Sequence, residues 1–96
     1  MTLYGFAKGT LSEIAMQLER AFGLKLELHE SQMYGGDYCR YEADGEQIIL
    51  QSNRDHGDIA EEDFPDIPIL LWIASRKRTR EELDELVGPD ARLLRL

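Results

Sequence analysis

Two short runs, Thr10-Leu11-Ser12-Glu13 and Thr79-Arg80-Glu81-Glu82, constrain the fold of this chain more than any other feature. Each reads as a capping box. The threonine hydroxyl accepts from the backbone N–H three residues on, and the glutamate there reaches back to the threonine N–H. Behind the first box, Leu11, Ile14, Ala15, Leu18, Ala21 and Phe22 recur at helical spacing and make one apolar face. Gly23 is the expected stop. Behind the second, Leu83, Leu86 and Val87 form the buried edge of a shorter helix, which Gly88-Pro89 ends. Both helices need a sheet face to cover.

The remaining segments read as strands. Leu3 to Ala7 is a short strand with Tyr4 and Phe6 on one side. Leu24 to Glu30 alternates, with Leu24, Leu26 and Leu28 on one face and Lys25, Glu27 and His29 on the other. Ser31 to Gly36 is a loop. Tyr38 to Gln51 reads as a hairpin about Asp44-Gly45, a two-residue type I′ turn signal. That turn sets Tyr41 opposite Ile48 and Cys39 opposite Leu50 on the core face. Arg40 then faces Ile49, and Tyr38 faces Gln51, on the other side. Ser52 to Asp66 reads as a long polar loop. Ile67 to Ala74 is apolar on both faces, which suits an inner strand, and Pro68 sits near its start where a missing donor is tolerated. Arg92 to Leu96 is a last strand or a frayed tail.

The expected order is β-α-β-β-β-β-α-β, with right-handed crossovers. The fold class is α+β: a two-layer sandwich, a mainly antiparallel sheet with two helices. Residues 1–96 form a single domain. An apolar share of 43% allows a modest core but not a deep cleft plus a second domain. No apolar run approaches the ~18 residues of a membrane span. The opening residues have no basic region followed by a long apolar stretch, so no signal peptide is expected. A single cysteine, Cys39, excludes an internal disulfide or a thiolate metal cluster. A cytoplasmic protein is the expectation.

Charge is unevenly spread. Glu27 to Asp66 holds twelve acids against two bases, Arg40 and Arg54, so this segment is more negative than the whole chain at −8. Such a segment repels nucleic acid and anionic membrane and attracts a basic partner. Phe64 and Ile59 lie within its loop, and apolar anchors inside a charged rim are how interfaces are commonly built. The expected contact loop is Asp55, Asp58, Glu61, Glu62, Asp63 and Phe64, with Asp37, Tyr38 and Arg40 beside it.

Catalytic signals are sparse. His56, in Asp55-His56-Gly57-Asp58, invites a metal or general-base reading, but the spacing matches no specific zinc or calcium motif. A solvated turn is the simpler reading. Cys39 is expected in the core as a small apolar residue rather than a nucleophile. The glycines show no phosphate-loop spacing. The basic run Arg76, Lys77, Arg78 and Arg80 precedes the acidic residues Glu81, Glu82, Asp84 and Glu85, which suggests local charge pairing. No metal, cofactor or catalytic residue is assigned, and the expectation is a binding protein rather than an enzyme. Three alternatives stay open: a regulatory or scaffold module, a small metal-dependent enzyme using His56, and a nucleic-acid mimic.

The runs Tyr34-Gly35-Gly36-Asp37-Tyr38-Cys39-Arg40-Tyr41, Ile48-Ile49-Leu50-Gln51-Ser52-Asn53 and Asp63-Phe64-Pro65, with the strand from Ile67 to Ala74 and the leading helix, give the chain a family likeness. It resembles the small bacterial immunity proteins encoded beside polymorphic or contact-dependent growth-inhibition toxins. The resemblance implies a cytoplasmic protein that binds one cognate toxin domain and blocks it. Such toxins are often nucleases with basic surfaces, which an acidic partner would match. It implies no catalytic residues and no cofactor.

Overall fold

The computed structural model describes residues 1–31, 36–55 and 58–96, and the side chains of these except at 30, 31, 36, 54, 55 and 58. Both capping boxes form. Helix α1 spans Leu11–Phe22 and α2 spans Arg80–Val87. Thr10 Oγ1 accepts from Glu13 N at 3.1 Å, and Thr10 N donates to Glu13 Oε1 at 3.0 Å. The Thr79–Glu82 pair repeats this at 3.2 and 3.1 Å.

The strands are β1 (Thr2–Phe6), β2 (Glu27–Ser31), β3 (Gly36–Ala43), β4 (Glu46–Ser52), β5 (Arg54–Asp55), β6 (Asp58–Ile59), β7 (Ile69–Ser75) and β8 (Ala91–Arg95). Six of them make one sheet in the order β2-β3-β4-β7-β1-β8, every neighbouring pair antiparallel. The apolar β7 lies between β4 and β1, as an inner strand should.

The β3–β4 register is the one the turn dictates: Tyr41 opposes Ile48, Cys39 opposes Leu50, Arg40 opposes Ile49 and Tyr38 opposes Gln51. Asp44 and Gly45 have φ of 53° and 77°. A type I′ turn needs both positive, and aspartate is one of the few side chains that adopt such a φ at modest cost.

Both helices cover one face. Ile14, Ala15, Leu18 and Phe22 of α1 and Leu83 and Val87 of α2 meet Tyr4, Phe6, Cys39, Ile48, Leu50, Leu71 and Ile73 of the sheet. A second apolar cluster lies elsewhere: buried Leu3, Ile67 and Leu70, with Phe64, Trp72 and Leu94 packed against them. Strand alternation puts Leu3 and Leu70 on the face opposite Tyr4 and Leu71. The second face is therefore covered in part by the segment between β4 and β7.

Several expectations need correction. The segment expected as a plain loop from Ser52 to Asp66 is partly structured. Ser52 ends β4, and β5 pairs with β6 as a small separate hairpin. Strand β2 starts at Glu27, because Leu26 N donates to Glu19 Oε2 at 2.8 Å instead of joining a ladder. Leu28 sits on the helix-side face but at the sheet's edge, and is 67% exposed rather than buried. The C-terminal segment is an edge strand beside β1. His56 and the Tyr34-Gly35 loop lie outside the described residues.

Candidate protein-interaction surface

Asn53, directly after β4, organises the acidic segment. Its Nδ2 donates to Phe64 O at 2.8 Å and to Ile67 O at 2.7 Å. Its Oδ1 accepts from Glu61 N at 2.7 Å. Its backbone N donates to Pro68 O, and its O accepts from Ala60 N, both at 2.8 Å. The side chain is 1% exposed. A buried amide with its donors and acceptor used by one segment fixes that segment's path.

Strand β8 pins the same segment from the far edge. The register between β1 and β8 slips after Leu3, which pairs with Arg95, while Tyr4 pairs with Leu93. Leu94 is the extra residue of this bulge. A bulge re-aims side chains, and here Leu94 and Arg95 both address the loop. Leu94 joins the second cluster. Arg95 binds Glu61 at 2.7 Å and Asp63 at 3.0 Å, and its guanidinium stands 5.9 Å from the centre of the Phe64 ring. These carboxylates hold the Arg95 proton more tightly than usual, the Glu61 hydrogen bond first.

Gly5 explains how the loop comes so close. A Cβ there would meet Ile67 Cγ2 at 2.5 Å and Leu94 Cδ1 at 2.8 Å. Only glycine lets Ile67 sit down on the strand.

The expected contact residues divide accordingly. Glu62 is exposed, and so is Asp63 apart from its Arg95 bond. Glu61 is half-buried and committed to Arg95. Phe64 is packed into the second cluster, so its ring serves the fold first. Asp55 and Asp58 pair across the β5–β6 hairpin, and their side chains lie outside the described set. Exposed Asp66, left out of the expected contact set, adds to the loop's outward charge.

The second expected patch is split by the pleat. Asp37 shares a face with Cys39, whereas Tyr38 and Arg40 point to the opposite side. The Asp37 charge is felt at Cys39, where burial first, then Glu19 and Asp37, push the thiol up. Tyr38 stacks on His29, ring centres 5.3 Å apart at 22°, and Arg40 pairs with Glu42. Thus Asp37 does not stand beside Tyr38 and Arg40 as one patch. The period of two held this signal, and the sequence expectation overlooked it.

Lys77, Arg78 and Arg80 of the basic run are paired, but mainly not with the acidic helix. Glu46 on β4 has a fully buried side chain and takes Arg78 Nε at 2.9 Å and Ser75 Oγ at 2.8 Å. Among the described residues of the run, Arg80 alone pairs within α2, with Asp84 at 3.4 Å. By charge alone Glu46 is one of the twelve acids between Glu27 and Asp66. Strand alternation marked it, because Glu46 shares the face of Ile48 and Leu50.

Among the described residues, no group of three His, Cys, Asp or Glu is placed to hold a metal ion, and no helix is long and apolar enough to cross a membrane. Compared with protein-family models, curated proteins and solved structures, the chain matches none.

Proposed function

We propose that this chain is a non-catalytic inhibitor that binds a basic protein surface through the acidic segment between β4 and β7. In kind it would be a cytoplasmic immunity protein that occludes a cognate toxin domain, the partner being basic because it handles phosphates. One observation carries the reading. The outward acids Glu62, Asp63 and Asp66 stand on a segment locked by Asn53, Arg95 and Gly5. A locked loop loses little entropy on binding, and concentrated charge speeds encounter. Tyr38 and Arg40 would contribute from the same sheet face, and Asp37 from another side.

The test is association with a basic toxin domain, should one be encoded beside this chain. Glu62→Ser with Asp66→Ser leaves the Arg95 contacts intact. It should slow association about tenfold at low salt, and the difference should shrink as salt rises. An unchanged on-rate at low salt rejects the segment as the steering element.

A further inference from the structure

A cleft of about 720 Å³ opens between the β3–β4 turn and the link from β7 to α2. None of the acidic-loop residues lines it. Its two walls carry opposite charge. Asp44 stands on the turn, with Glu42, which also pairs with Arg40, at the end of β3. Arg76, Arg78 and Arg80 stand on the link and the start of α2. Glu46 is buried between them.

The cleft is held open by the fold. Glu46 pairs with Ser75 across the ladder, Arg76 N donates to Gly45 O at 3.0 Å, and Ser75 Oγ donates to Glu46 Oε2. Arg78 is positioned twice: its Nε is bound by Glu46, and its guanidinium lies 5.2 Å from the centre of the Phe22 ring. Arg80 likewise presents Nε to Asp84. In both arginines the internal partner takes Nε. The terminal Nη nitrogens of Arg78 and Arg80 make no hydrogen bond among the described residues, and Arg76 is exposed. Glu46 Oε1 is buried without a hydrogen-bond partner, with Lys77 Nζ 3.9 Å away. Burying a carboxylate whole is expensive, and keeping one to hold an arginine fork at a cleft suits planar recognition of an oxyanion.

We propose that this cleft binds a small amphoteric molecule, its phosphate held by Arg76, Arg78 and Arg80 and its amino group facing Glu42 and Asp44. Three guanidinium groups suit a dianion better than a single carboxylate. The acidic wall disfavours a plain anion and rewards a ligand with a cationic far end. The volume lies within the range of small-molecule sites.

The test is amide chemical-shift titration of the full chain with three probes: phosphoethanolamine, inorganic phosphate and ethanolamine. The expected result is saturable shifts from phosphoethanolamine at residues 42–47 and 73–80. Its affinity should exceed that of either fragment by about tenfold. Arg76→Gln with Arg80→Gln should abolish the shifts, since both side chains are exposed and the melting temperature should hold. Should that pair disturb the fold, Asp44→Asn tests the other wall, because asparagine tolerates the same φ. It should weaken phosphoethanolamine binding and leave phosphate binding equal or stronger, because the wall then repels a plain anion less. Equal affinity for phosphate alone, no saturation, or shifts that persist in the variants would overturn the proposal.

Discussion

The phenol of Tyr4 on β1 donates a 2.6 Å hydrogen bond to Asp84 on α2, joining residues 80 positions apart. The ring is part of the helix-side core and is buried, while Asp84 is exposed. The two ends differ in what they lose. Asp84→Ala strands a buried hydroxyl and should cost about 1–3 kcal/mol. Tyr4→Phe leaves an exposed carboxylate that water can satisfy, and should cost only ~1 kcal/mol. Urea unfolding of both variants checks the order. Equal losses would mean that the Tyr4 hydroxyl is not left stranded when Asp84 is removed.

The same pair makes stability depend on alkaline pH. Burial first, then the Asp84 hydrogen bond, push the Tyr4 phenol well above its ordinary value. A raised pKa means the folded state holds the proton more tightly. The stabilisation is complete below the unfolded value of about 10 and is lost as pH rises toward the folded value. Stability should therefore fall above about pH 10, and less steeply in Tyr4→Phe. Parallel curves for the two proteins would contradict this.

Asn53 should be the most sensitive polar position in the acidic segment. Asn53→Ala removes both donors and the acceptor, and leaves the Phe64 and Ile67 carbonyls and the Glu61 N–H without partners. A loss of about 3 kcal/mol is expected. Asn53→Asp should also destabilise, because a carboxylate cannot donate to the two carbonyls. Denaturant midpoints, with hydrogen exchange at residues 59–67, report both effects. A neutral Asn53→Asp would show that the donors are dispensable.

Gly5→Ala should loosen the same segment from beneath. The added methyl overlaps Ile67 and Leu94. Overpacking of this kind costs ~1–3 kcal/mol. The faster exchange should centre on Ile67 and Phe64 and leave the helices unchanged. A variant as stable as the parent would mean that Ile67 is free to move aside.

Glu46→Ala leaves Arg78 and the Ser75 hydroxyl without their partner. Glu46 is buried but Arg78 is partly exposed, so the loss should be about 1–3 kcal/mol, below that of a wholly buried pair. A loss below ~1 kcal/mol would place this pair with ordinary surface salt bridges.

Local readings transferred well to the structure because their causes are local. A capping box closes over four residues, and the Asp44-Gly45 turn sets a register its own strands carry onward. Apart from the split of Asp37 from Tyr38 and Arg40, which strand alternation already held, the misreadings came from partners distant in sequence. Phe64 looked like a free anchor because nothing nearby in sequence announces Leu3, Leu70 or Arg95. Arg76 to Arg80 were matched to the acids that follow them, whereas Glu46 precedes Arg78 by 32 residues.

Sequence alone determined the two helices, the central hairpin with its register, the inner character of β7 and the excess of negative charge. These follow from periodicity, turn chemistry and composition, each contained in a short window. Tertiary structure alone decided the strand order, the burial of Asn53, and which acids of the segment between β4 and β7 stay in water. Those outcomes depend on long-range pairing. A polar side chain is buried only where the whole fold brings it the hydrogen bonds that replace solvent.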